Sequence, residues 1–203
     1  MVIDFLKKSF DRLPIPIEGR EIVNLPNCIT MLRIAVIPIL FLILLDPGQK
    51  LSLVIAILFV LAALTDLLDG YIARKYEIVT KTGKLLDPIA DKLIISTAMI
   101  LMIPIGRIPA WVVALIVMRD FVVDGVRQVA SSGGVVISAS RLAKQKTVSQ
   151  VAAVTALLIH YPFLGMDAHR VGILLLYLSL VLTVWSGIDY LIRFYRETVR
   201  AGL

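Results

Sequence analysis

The stretch TDLLDGYIARKYEIVTKTGKLLDPIADK, Thr65 to Lys92, decides how this 203-residue chain is read. It places four carboxylates, Asp66, Asp69, Asp87 and Asp91, between segments that otherwise read as membrane-spanning. Fifteen uncharged, mostly aliphatic residues, Leu51 to Thr65, run directly into Asp66. An ionisable side chain at such a position is costly and is a functional hypothesis by default. Four of them on one short stretch need a common explanation.

The spacing supplies one. Asp66 and Asp69 are three residues apart and Asp87 and Asp91 four apart, so on helices each pair shares a face. Pro88 suits the first turn of a new helix, with Asp87 ahead of it as the cap. One helix then ends with a carboxylate pair and the next begins with another. The connection, roughly Lys75 to Lys84, is long enough to turn the two helices antiparallel. Converging carboxylates repel unless cations sit among them, and oxygen-only ligation favours hard ions such as Mg²⁺ or Mn²⁺. Gly70 sits where the helix continues, at a cost of about 1 kcal/mol relative to Ala, and leaves room for a ligand to approach the backbone. Arg74, one turn on, suits a phosphate.

The pattern Asp66-x2-Asp69-Gly70-x2-Ala73-Arg74-x8-Gly83-x3-Asp87-x3-Asp91 resembles the signature of the CDP-alcohol phosphatidyltransferases, with all eight fixed positions matched. At ordinary residue usage such a match arises by chance at one start point about once in 10⁹ to 10¹⁰. The resemblance implies that Asp66, Asp69 and Asp87 bind metal, two ions of Mg²⁺ or Mn²⁺ in all. Asp91 is then the base that takes the acceptor's proton and is also counted as a metal ligand. Gly70, Ala73, Arg74 and Gly83 would line the CDP site with the aspartates. A set of buried Asp–Arg and Asp–Lys pairs is the structural alternative, but it explains neither the glycines nor the spacing.

Composition agrees with a membrane protein. The chain is 59% hydrophobic, with mean hydropathy +0.90, far above a soluble domain. The expected fold is all-α and integral to the membrane. Six transmembrane helices in one domain, residues 23–203, follow an amphipathic interfacial segment, residues 1–22. In Met1 to Leu13, Val2, Phe5, Leu6, Phe10 and Leu13 share one helical face opposite Asp4, Lys7, Lys8 and Asp11. The spans read as about Asn27–Leu45, Leu51–Ala73, Asp87–Ile103, Pro109–Ala130, Thr147–Leu164 and Val171–Tyr195. Each is near the ~20 residues that the hydrocarbon core requires. Cys28 has no internal disulfide partner, no signal peptide is expected, and no repeat is visible.

Charge orients the bundle. With six spans the termini share a side. That side carries Lys7, Lys8, Arg12, Arg20, then Arg74, Lys75, Lys81, Lys84, then Arg141, Lys144, Lys146, then Arg193, Arg196 and Arg200. The other carries Lys50, Arg107 and Arg170. The richer side is cytoplasmic, so both termini and the active site are expected at the cytoplasmic face of the inner membrane. The net charge of +6 is thereby accounted for without nucleic acid.

The acceptor is set elsewhere. Arg119 and Arg127 in the fourth span, and Lys144 after a loop of small residues, either hold an anion or are paired internally. The internal pairs would be Arg119 with Asp120 or Asp124, and Asp124 with Arg127. A narrower resemblance bears on this. Asn24-Leu25-Pro26-Asn27-x-x-Thr30-x-x-Arg33, RDFVVDGVRQVASSGG (residues 119–134) and Lys144-Gln145-Lys146-Thr147 look like the branch of that family that uses sn-glycerol 3-phosphate. It implies that Arg119, Arg127 and Lys144 hold the acceptor phosphate, with Lys146 a weaker candidate. It also implies CDP-diacylglycerol as donor, the lipid bilayer as surroundings and a homodimer. Asn27 and Thr30 either shape the nucleotide site or satisfy backbone at a helix start. His160, His169, Trp111, Tyr161, Met99 and Met102 read as structural. The competing functions are the same chemistry with an inositol phosphate, serine or a second lipid, a polyprenyl transferase, or a divalent-cation transporter. Transport sites favour repeats near the midplane, which this pattern lacks.

Overall fold

A computed structural model describes residues 25–75, 81–132, 141–163 and 165–201, with side chains over 31, 33–65, 90, 92–131, 142–163 and 165–198. Its elements are α1 (Leu25–Leu44), α2 (Gln49–Lys75), α3 (Lys81–Met102), α4 (Ala110–Ser132), α5 (Arg141–Ile159), β1 (Pro162–Phe163), β2 (Met166–Asp167) and α6 (Ala168–Ala201). The described fold is all-α apart from one two-residue β-pairing. The interfacial segment expected over residues 1–22 lies outside the described residues; of the loop of small residues expected over 131–140, Ser131 and Ser132 end α4 and 133–140 lie outside the described residues. The chain divides into two units, Met1–Ala98 and Met99–Leu203.

In the first unit α1 packs on α2. Leu40, Leu44, Ile55, Ala56, Phe59 and Ala62 are buried. Asp46-Pro47-Gly48 separates the helices, within the gap expected between the first two spans. The Gly48 amide bonds to Asp46 O and the Ser52 amide to Gly48 O. Arg33 is buried and donates from Nε to the carbonyl of Ala62 at 3.3 Å. That carbonyl also accepts from Thr65 Oγ1 at 2.9 Å. It lies one turn before Asp66, so α1 is tied to α2 where the carboxylates begin.

One boundary differs. α3 begins at Lys81, so Asp87 is not an N-cap and Pro88 is not in the first turn. Proline marks a probable boundary only. The helix runs on through Pro88 and, beyond it, carries a buried stripe of four-residue period, Ala90, Ile94, Ala98 and Met102. The connection from α2 shortens to residues 76–80.

In the second unit α6 packs on α5 and on α4. A Cβ on Gly172 would stand 2.7 Å from Leu157 Cγ and 3.0 Å from the Leu157 amide nitrogen. Only glycine lets α6 approach α5 that closely. α5 also starts and ends earlier than expected, at Arg141 and Ile159 rather than Thr147 and Leu164. Lys144 and Lys146 therefore lie within it, on its first turns. After it, Pro162 pairs with Asp167 and Phe163 with Met166. The turn between them includes Gly165 at φ +78°, a left-handed conformation that suits glycine. Asp167 then caps α6, its Oδ1 accepting the Arg170 amide at 3.1 Å.

The C-terminus of α5 is capped from a distance. Buried Arg107 donates from Nη1 to the carbonyl of Leu158 at 2.7 Å and to that of Leu157 at 3.5 Å. A cation there satisfies orphan carbonyls and complements the negative end of the helix dipole. Burial lowers the Arg107 pKa, against which Tyr161 acts in the raising direction. Beside it His160 takes φ +62°, and its Nδ1 lies 3.2 Å from Nδ1 of His169. One ring donates and the other accepts. Burial first, then Arg107 and His169, push the His160 pKa down, and Asp167 acts the other way.

Among the described residues one helix, Ala168–Thr198, is long and apolar enough to cross a membrane by length and composition. Arg33–Leu44, Gln49–Thr65 and Lys92–Met102 are shorter apolar helices. Large apolar side chains lie exposed on several helices, among them Phe121 at 74%, Leu174 at 71% and Trp185 at 66%.

Candidate active site

The signature falls on two successive helices. Asp66, Asp69, Gly70, Ala73 and Arg74 lie in the last three turns of α2, and Gly83, Asp87 and Asp91 in the first turns of α3. Asp66 precedes the end of α2 by nine residues and Asp87 follows the start of α3 by six. At 1.5 Å rise per residue both are on the order of 10 Å from the short connection. Spacing of three and four on continuous helix keeps each pair on one face. The side chains of all eight signature residues, and those of Asn27 and Thr30, lie outside the described residues. The donor set suits a hard divalent ion by its chemistry, since all four groups are carboxylates. Gly70 falls inside α2 rather than at its end, as the sequence led one to expect.

The basic residues of the second unit are described in side-chain detail. Arg119 and Arg127 are eight apart on α4, with buried Val123 between them on the same stripe. Arg119 donates from Nη1 to Asp120 Oδ1 at 3.0 Å and from Nη2 to Ser186 Oγ on α6 at 2.7 Å. Its Nε is buried without a hydrogen-bond partner among the described residues. Asp120 in turn accepts from Lys146 Nζ at 2.5 and 2.7 Å. Lys146, the weaker of the phosphate candidates, is thus the buried ion-pair partner of Asp120. Of the pairs weighed from sequence, Arg119 with Asp120 forms. Arg127 pairs with no carboxylate among the described residues. Its guanidinium sits 5.6 Å from the centroid of the Tyr190 ring, a cation–π distance. Lys144 is exposed on the first turn of α5.

Three residues that hold these cations escaped the sequence reading: Ser186, Gly187 and Tyr190. They share one face of α6 with Thr183, at spacings of three, four and seven. All four are buried. The available signal was small and polar residues at helical period inside an otherwise apolar span.

Comparison with known proteins places the chain in context. Residues 23–185 match the sequence profile of the CDP-alcohol phosphatidyltransferase family. A Bacillus subtilis protein named CDP-diacylglycerol--glycerol-3-phosphate 3-phosphatidyltransferase is 42% identical over 179 residues, covering 82% of this chain and 93% of that one. A Rickettsia typhi protein of the same name is 39% identical over 168 residues, covering 82% and 94%. A Mycobacterium tuberculosis protein named probable phosphatidylglycerophosphate synthase is 36% identical over 185 residues, covering 89% and 87%. With the eight-position signature intact on α2 and α3, the chain belongs to the CDP-alcohol phosphatidyltransferase family.

Proposed function

We propose that this protein transfers the phosphatidyl group of CDP-diacylglycerol to sn-glycerol 3-phosphate, giving phosphatidylglycerol phosphate and CMP. The observation that carries the reading is the complete signature on two successive helices joined by five residues, 76–80. The names of the relatives from three bacterial genera support the acceptor.

In this reading Asp66, Asp69, Asp87 and Asp91 hold two Mg²⁺ or Mn²⁺ ions. Such ions, when bound, neutralise the pyrophosphate and stabilise attacking and leaving oxygens. Gly70, Ala73, Arg74 and Gly83 line the CDP site, the glycines letting the nucleotide come against the backbone and Arg74 pairing with a phosphate. Arg119, Arg127 and Lys144 hold the acceptor phosphate, which orients the free hydroxyl. Asp91 takes that hydroxyl's proton as the oxygen bonds to the lipid-side phosphorus. The bond from that phosphorus to the bridging oxygen breaks, and CMP leaves with the electron pair.

The six helices cross the inner membrane, with both termini and the site on the cytoplasmic side, and the protein works as a homodimer. The 31-residue apolar stretch of α6, the exposed apolar side chains and the asymmetry of Lys and Arg support this placement. Membranes carrying the chain are expected to incorporate radiolabelled sn-glycerol 3-phosphate into lipid when supplied with CDP-diacylglycerol. In a competition panel sn-glycerol 3-phosphate should outcompete inositol phosphate and serine. Preferential incorporation of another acceptor would replace the acceptor assignment and leave the family chemistry standing.

A further inference from the structure

The face of α6 formed by Ser186, Gly187 and Tyr190 lies against the two arginines of α4 that the proposed function gives to the acceptor phosphate. Ser186 has a single hydroxyl proton. Its Oγ lies 3.2 Å from the carbonyl of Thr183, which takes that proton, and so an oxygen lone pair is left for Arg119 Nη2 at 2.7 Å. Gly187 provides the room. A Cβ there would stand 3.0 Å from Arg119 Nε and 3.2 Å from its Cγ, so the arginine stem lies flat on the α6 backbone. Tyr190, one turn on, puts its ring beneath Arg127. The Tyr190 hydroxyl is buried without a hydrogen-bond partner among the described residues, and the ring makes the contact to Arg127.

We propose that Ser186, Gly187 and Tyr190 are positioning residues, a platform on α6 that fixes Arg119 and Arg127 for the acceptor phosphate. Long cationic side chains lose considerable rotamer freedom on binding an anion, and holding them beforehand removes that loss from the binding step. Asp120 completes the arrangement by neutralising Lys146 and gripping the outer nitrogen of Arg119. The proposal rests on the acceptor-phosphate reading of Arg119 and Arg127, and the test separates the two.

The kinetics of detergent-solubilised full-length variants decide it. Ser186→Ala should raise KM for sn-glycerol 3-phosphate about tenfold or more, as expected for one lost hydrogen bond to a charged group, with kcat and KM for CDP-diacylglycerol within about twofold. Gly187→Ala should act in the same direction. Tyr190→Leu should raise the same KM, and Tyr190→Phe, which keeps the ring, should restore it. In an Arg119→Ala background Ser186→Ala should add nothing, because its effect runs through the arginine. An equal effect of Ser186→Ala in both backgrounds, or a Tyr190→Phe variant as impaired as Tyr190→Leu, overturns the platform alone. If Arg119→Ala and Arg127→Ala leave KM for sn-glycerol 3-phosphate unchanged, the acceptor reading falls and the platform with it.

Discussion

Lys146 of α5 and Asp120 of α4 form a part-buried ion pair, with Nζ 2.5 Å from Oδ1 and 2.7 Å from Oδ2. The side chains are only 8% and 19% exposed. A buried charge without its partner is costly, whereas an apolar replacement of both partners can be neutral. Asp120→Ala should therefore destabilise by about 1–3 kcal/mol, the range for leaving one partner of a hydrogen bond without the other. The double variant Asp120→Leu/Lys146→Met should recover part of that loss. Thermal melting in detergent micelles checks both, and a double variant less stable than Asp120→Ala would remove the unpaired-charge explanation.

The cap that Arg107 places on α5 gives a second expectation. Arg107→Leu removes the donor to Leu158 and leaves carbonyls of the last turn without a partner. A hydrogen bond from a charged group is worth about 1.5–3 kcal/mol, so the melting temperature should drop. Hydrogen exchange should rise first at the C-terminal end of α5. Exchange that rises uniformly across the unit would speak against a local cap.

Acid should loosen the loop beside that cap. The His160 pKa is lowered in the folded chain, so the unfolded chain binds its proton first as pH falls through about 6.5. Stability is then lost on acidification from that point down to the lowered folded value, and is unaffected by this group at higher pH. His160→Asn tolerates the positive φ and does not titrate. Its melting temperature should fall less between pH 7.5 and 5.5 than that of the parent, and an identical fall would clear His160 of any part.

Gly172 tests the packing of α5 on α6. Adding a methyl group 2.7 Å from Leu157 Cγ overpacks a close helix contact, which costs about 1–3 kcal/mol. Gly172→Ala should lower the melting temperature. The combination Gly172→Ala/Leu157→Ala should be less destabilised than the sum of the two single changes, and strict additivity would show that the two residues do not meet.

Much of this was legible beforehand where the signal is local. Asp46-Pro47-Gly48 separated α1 from α2, and Gly106, at φ +70°, lies in the turn read between α3 and α4. The signature needed only spacing. Pro88 misled because a proline is a local preference and marks a probable helix boundary only. Lys144 and Lys146 hid the start of α5 because polarity reads as a loop, whereas Lys146 is neutralised by Asp120 on another helix. The remaining polar contacts join distant positions: Arg107 to Leu158 across 51 residues and Arg119 to Ser186 across 67. No window along the chain contains both partners, so the α6 platform emerges only from the fold.

The central assignment, four carboxylates on α2 and α3 serving one transfer reaction, is tested most directly by CMP release from the purified protein given CDP-diacylglycerol and sn-glycerol 3-phosphate. Release is expected only with Mg²⁺ or Mn²⁺ present, and Asp91→Asn should reduce it by about 10²- to 10⁴-fold, the range for a lost general base. Release that persists in EDTA, or that survives Asp91→Asn undiminished, would contradict the assignment.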